Sequence, residues 1–130
     1  PTPAQVAAFM HACTLADVPF KATAGLHHPI RAEYALTYEK DAPRAIMHGF
    51  LNVFVAAALL KHGHANESLA CEALEETNAK AFIFTEDGLS WRNHVLDATQ
   101  VAHSREAFSL TFGSCSFDEP VEDLKKLALL

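Results

Sequence analysis

The stretch from Met47 to Gly63 constrains the fold more than any other part of the chain. Met47, Phe50, Leu51, Phe54, Val55, Ala58 and Leu59 keep the 3.6-residue period of an α-helix over more than three turns. Lys61 and His62 fall in the last turn, where the helix dipole favours positive charge, and Gly63 supplies the stop. A helix this apolar has to be the centre of a packed core. The longest apolar run, Phe50 to Leu60, is too short to cross a bilayer and is interrupted by Asn52, so a membrane partner is not expected.

The rest of the composition agrees with a packed unit. At 130 residues, 50% hydrophobic and 20% charged, the chain is the size of one ordinary domain and can bury a real core. Its formal charge of −6, with 10 Lys and Arg scattered along the sequence, argues against nucleic acid, whose phosphates ask for a basic face. Cys13, Cys71 and Cys115 are odd in number and far apart, which suits reduced thiols in a cytoplasmic protein better than a disulfide framework. No signal peptide is read at the start. The chain opens at Pro1, directly on a helix-start signal, which reads as a processed N-terminus or, as expected here, a piece of something longer; the expected partner is a missing N-terminal region or a second copy in a homo-oligomer.

Thr2-Pro3-Ala4-Gln5 has the form of a capping box, followed by the stripe Val6, Phe9, Met10, Cys13; this predicts a helix to about Leu15. Phe20 to Ala24 then reads as a short strand with no earlier strand to pair with. Residues 30–45 show no clean period and read as a loop or one helical turn. Asn66 caps a helix that turns Leu69, Ala73, Leu74 and Thr77 inward. Phe82 to Thr85 and Leu89 to Arg92 form a hairpin about an Asp87-Gly88 turn, with Phe82, Phe84, Leu89 and Trp91 on one face if the register permits. If this chain leaves Trp91 and its neighbours uncovered, they become an interface. Asp97 caps a further helix, Ser109 to Phe112 continues it or forms a strand, and Asp118 caps a last helix with Val121, Leu124 and Ala128 inward. The expected fold class is helix-dominated α+β, with one short strand, a β-hairpin and about five helices.

The segment Phe20-Lys21-Ala22-Thr23-Ala24-Gly25-Leu26-His27-His28-Pro29 carries the most chemistry. A lysine inside a strand is costly to bury unless its pKa falls or an acid pairs with it, which is how catalytic lysines arise. An outward or ion-paired Lys21 is the competing reading. His27 and His28 follow a glycine past the strand end; in extended chain the two point to opposite sides, so at most one serves as ligand or base. His48 sits near the start of the core helix, where the dipole favours a neutral base or ligand. His27 or His28, His48 and a carboxylate such as Glu33 or Asp118 would make an open three-ligand zinc site, although no His-x-x-x-His spacing supports it. His62 and His64 read as solvated. The start of the last helix could activate the Cys115 thiol, but no triad pattern surrounds it, so it reads as a buried structural thiol or part of a loop packed on the main helix.

Three phrases carry a resemblance: Phe20 to Pro29, Met47-His48-Gly49-Phe50-Leu51-Asn52, and Phe112-Gly113-Ser114-Cys115-Ser116-Phe117-Asp118-Glu119-Pro120. The chain resembles the C-terminal part of a family of uncharacterised, hypothetical bacterial proteins whose upstream region reads as a (β/α) barrel. That resemblance implies that residues 1–29 are the last helix and strand of a barrel-like unit, and residues 30–130 a C-terminal helical extension with the hairpin. Lys21, Thr23 and Gly25 are also similar to the Schiff-base strand of deoxyribose-phosphate aldolases, a local match of a few residues.

The expected function is a lyase- or isomerase-type enzyme acting on a small carbonyl or phosphorylated metabolite. Lys21 would be the nucleophile or electrostatic group and His27 or His28 the acid-base partner, with no cofactor assigned. The alternatives are a non-catalytic packing or oligomerisation module and a metal-dependent hydrolase using His27 or His28 with His48.

Overall fold

The computed structural model describes residues 1–23 and 25–129 and shows an α+β chain of five α-helices and seven short strands among those residues. Helix α1 (Pro3–Ala16) starts on the Thr2/Gln5 capping box and ends at Asp17, held in the left-handed region at φ 52°. Ala7 and Met10 are its buried residues, while Phe9 lies at the edge, its ring edge-on to Phe20 with centroids 5.6 Å apart. Lys61 reaches Asp17 at 2.5 Å, pinning the end of α1 to the core helix.

That core helix, α2, spans Phe50–Lys61. Nine of its residues are buried, so it is sequestered nearly all round instead of along one stripe. Helices α1 and α3 (Glu67–Glu75) pack on it and on each other, and strand β7 (Ser109–Phe112) and helix α4 (Ala98–Ala107) cover it elsewhere. Asn52, which interrupts the apolar run, is fully buried and fully used. Its Oδ1 accepts the backbone N–H of Arg31 at 2.9 Å, and its amide donates to the carbonyls of Ala73 and Glu76, both at 2.8 Å. One side chain thus ties the loop at Arg31, α2 and the end of α3 together.

Strand β1 (Phe20–Ala22) is shorter than expected, and Ala24 of the expected strand lies outside the described residues. It has a partner within this chain: it pairs in parallel with β7 (Ser109–Phe112), Phe20 opposite Ser109 and Ala22 opposite Phe112. The segment that reads either way in the sequence is therefore a strand, and the partner of β1 comes from downstream. Residues 30–45, expected as loop or helical turn, instead contain most of an antiparallel pair, β2 (Ala32–Ala35) with β3 (Arg44–Met47). Their four-residue strands are too short to show a period in sequence. The expected hairpin gains a third strand, giving the meander β4 (Phe82–Thr85), β5 (Gly88–Trp91) and β6 (His94–Asp97). The described strands thus form two pairs and one three-stranded sheet, and nothing in them shows a barrel wall.

The hairpin register places Phe82 opposite Trp91 and Phe84 opposite Leu89, so the four share one face. Trp91 is fully buried within the chain; its Nε1–H donates to Glu76 at 3.3 Å, and Arg92 stacks over its ring. The two-residue connection is Glu86–Asp87, not Asp87–Gly88. Gly88 opens β5 at φ 146° because a Cβ there would run into the backbone of Leu96 and Asp97 on β6. Helix α4 (Ala98–Ala107) starts on an Asp97/Gln100 capping box. Helix α5 (Asp118–Lys126) takes Asp118 as its first residue, not its cap. Ser116 Oγ accepts the Glu119 N–H, freeing Asp118 and Glu119 to sit as first-turn acids. Pro120 is the buried residue of this helix, Val121 and Leu124 are half-buried, and Ala128 is exposed.

Candidate functional site

The segment 27–31 owes its position to the start of α2. The first N–H groups of a helix have no partner inside it. Phe50 N–H donates to the carbonyl of His28 at 2.9 Å and Leu51 N–H to that of Pro29 at 3.0 Å. Gly49 makes this approach possible, since a Cβ there would collide with Pro29 O, Ile30 Cα and Asn52 Oδ1. His27-His28-Pro29 therefore caps the core helix through its backbone, and its side chains are aimed by that anchor.

Both histidine rings line one cleft, their centroids 6.4 Å apart, instead of pointing to opposite sides. The cleft has a volume of about 230 Å³, with Tyr34, Tyr38, Met47, Cys115 and Glu119 also in its wall. His28 is buried and lies flat on Tyr34, centroids 3.5 Å apart and planes 7° from parallel. Its Nδ1 is 2.7 Å from Asp123 Oδ2. A carboxylate only accepts, so Nδ1 carries the hydrogen, and among the described residues Nε2 has no protein partner. Burial disfavours the Asp123 carboxylate, but hydrogen bonds from His28 and from Lys126 outweigh it and hold its pKa below the usual aspartate value. Tyr34 donates to Ile30 O at 2.8 Å, and burial first, then the Asp123 charge, pushes its phenol up.

His27 faces the loop before α5. Its Nδ1 is 2.8 Å from Ser114 Oγ and 3.9 Å from Glu119 Oε2. The Cys115 sulfur lies 3.8 Å from each ring nitrogen. Cys115 is exposed, not buried, and all three cysteines are free thiols. Tyr38 reaches Glu119 Oε2 at 3.5 Å; that charge is the main reason its phenol is raised.

Lys21 and His48 lie elsewhere. Lys21 points outward from β1 and, among the described residues, makes no hydrogen bond or ion pair. With His48 and Arg31 it lines a separate cavity of about 640 Å³, and Met47 contributes to the walls of both spaces. His48 precedes the α2 cap, and both its nitrogens are engaged. Arg31 can only donate, so Nδ1 accepts from Nη1 at 3.3 Å, while Nε2 donates to Pro1 O at 2.9 Å. The expected set of His27 or His28 with His48 and a carboxylate is therefore not assembled. Among the described residues no group of three His, Cys, Asp or Glu is placed to hold a metal ion. Glu33 is taken by Arg44 at 3.2 Å.

Of two further histidines, one differs from expectation. His62 is half-buried and donates to Gln100 O at 2.9 Å, joining the end of α2 to α4, and burial lowers its pKa. His64 is exposed, as read from sequence. The sequence reading passed over Ser114, Tyr34, Asp123 and the exposure of Cys115. Ser114 and Cys115 lie in the run Gly113-Ser114-Cys115-Ser116, whose small residues let the loop approach His27, while no local pattern marks Tyr34 or Asp123.

Among the described residues no helix is long and apolar enough to cross a membrane. Comparison with family models, with curated proteins and with solved structures finds no match for this chain.

Proposed function

We propose that the chain is a thiol-dependent enzyme acting on small carbonyl compounds, esters and thioesters among them, with Cys115 as nucleophile and His27 as its general base. The observation that carries this reading is the Cys115 sulfur 3.8 Å from both His27 ring nitrogens, at a cleft that His28 also lines. Nucleophile, base and an orienting group within reach of one another are the signature of covalent catalysis. Ser114 occupies Nδ1 of His27, so Nε2 takes the thiol proton as the S–C bond forms at the carbonyl carbon and the C=O π pair moves to oxygen. The leaving group departs with the proton returned from His27. Nε2 of His28, its ring held by Asp123 and Tyr34, then removes a proton from a water that attacks the acyl carbon; the C–S bond breaks, the carboxylic acid leaves, and the proton returns to the Cys115 sulfur.

The test is p-nitrophenyl acetate with mass detection. A stoichiometric burst of nitrophenolate and an acetyl group on Cys115, both lost in Cys115→Ser, are expected. A burst that persists in Cys115→Ser, or no acetylated Cys115, ends this reading.

A second reading is favoured by Lys21 and Arg31 lining one cavity with neither in an ion pair among the described residues. There Lys21 forms a Schiff base with a small phosphorylated aldehyde or ketone, and Arg31 pairs with its phosphate. Borohydride reduction in the presence of glyceraldehyde 3-phosphate should leave an adduct mass on Lys21. An unmodified Lys21 rejects it.

A further inference from the structure

A third cavity, lined along α2, has no role in that chemistry. It measures about 360 Å³, in the range of small-molecule sites, and its wall is mostly apolar: Leu51 and Phe54 of α2, Leu89 of β5, Val101 of α4 and Phe112 of β7. Two polar residues of α4 join that wall, Ser104 and Arg105.

Ser104 is 2% exposed, and its Oγ has no hydrogen-bond partner, the one buried side-chain polar atom so placed among the described residues. A helical serine commonly bonds the carbonyl one turn back. Here that carbonyl, Gln100 O, accepts from His62, and the Ser104 hydroxyl is left without a protein acceptor. A buried hydroxyl is costly to leave unpaired, so each one in a native structure calls for an explanation. Beside it, Arg105 is exposed and, among the described residues, makes no ion pair or hydrogen bond. An apolar chamber with a hydroxyl donor in its wall and a guanidinium able to reach its mouth matches one ligand chemistry.

We propose that this cavity binds a small apolar monocarboxylate, its hydrocarbon body among Leu51, Phe54 and Phe112 and its carboxylate taken by Arg105 and the Ser104 hydroxyl. Charge-assisted hydrogen bonds to a carboxylate are stronger than neutral ones, so the head group decides the choice of ligand.

Sodium octanoate and 1-octanol, titrated into the isotopically labelled chain and followed by amide chemical shifts, test this. Octanoate should give saturable shifts at Val101, Ser104 and Phe112, with 1-octanol binding about tenfold or more weakly. Arg105→Gln should reduce octanoate to the affinity of octanol. Ser104→Ala should weaken octanoate while leaving the thermal midpoint unchanged or higher, since it removes an unpaired hydroxyl. Octanol binding as tightly as octanoate, octanoate affinity unchanged in both variants, or no shift at these amides would each overturn the proposal. The readout does not involve Cys115, so it stands apart from the thiol chemistry.

Discussion

His28 and Asp123, 95 residues apart in the sequence, meet at 2.7 Å and join the loop that caps the core helix to the last helix of the chain. The contact is largely shielded from water, and Lys126 adds a second hydrogen bond to the same carboxylate at 2.9 Å. The pair therefore aims the His28 ring, which lines the cleft.

Because the folded-state pKa of Asp123 is held below its ordinary value of 3.8, its charged form stabilises the fold at pH values above 3.8. That contribution is lost as pH falls through 3.8 toward the folded value. Asp123→Asn should lower the urea midpoint at pH 6 and flatten its decline on acidification. Urea titrations of both chains at several pH values check this; parallel declines would show that the pair is not coupled to folding.

His62 behaves with the same sign at a higher pH. Burial depresses its folded pKa below the ordinary 6.5, so the unfolded chain binds the proton more readily. Stability is unpenalised above 6.5 and declines as pH falls through 6.5 toward the folded value. His62→Gln keeps a donor for Gln100 O and cannot titrate. Its thermal midpoint should vary less than that of the wild type between about pH 7.5 and 5.5, read by calorimetry.

Gly49 has an ordinary φ of −91°, so its requirement is space and not backbone conformation. Gly49→Ala drives a methyl group into the backbone of Pro29 and Ile30 and should cost about 3 kcal/mol, the upper part of the range for overpacking. Chemical denaturation measures the loss. Amide exchange should rise at Phe50 and Leu51, whose N–H groups bond to His28 and Pro29.

The helices were legible because their signals are local. Thr2 with Gln5, Asn66 and Asp97 each announce an N-terminus, and all three cap as read. Alternation announced the two hairpin strands, but the turn lies one residue earlier than Asp87-Gly88, which sets the Phe82–Trp91 register. What escaped the sequence depends on distant pairing. The β1–β7 contact joins ends of the chain that no local pattern links, and β2 and β3 are too short to alternate visibly. His27 and His28 stood out as chemically able residues, but nothing nearby marks Ser114, Cys115 or Asp123 as their neighbours. Lys21 and His48 were drawn toward the same site by residue type alone, and Met47 divides the two spaces.

The proposed chemistry rests on activation of the Cys115 thiol by His27. The most direct measurement is the rate of iodoacetamide alkylation at each cysteine at neutral pH, read from peptide masses in the wild type and in His27→Gln. The half-buried Cys13 and Cys71 serve as internal controls for folding. Exposure alone would make Cys115 the fastest of the three, so the decisive comparison is across the substitution. The account predicts that Cys115 alkylation slows by about tenfold or more in His27→Gln, with Cys13 and Cys71 unchanged. Cys115 reacting at the wild-type rate without the imidazole would contradict it.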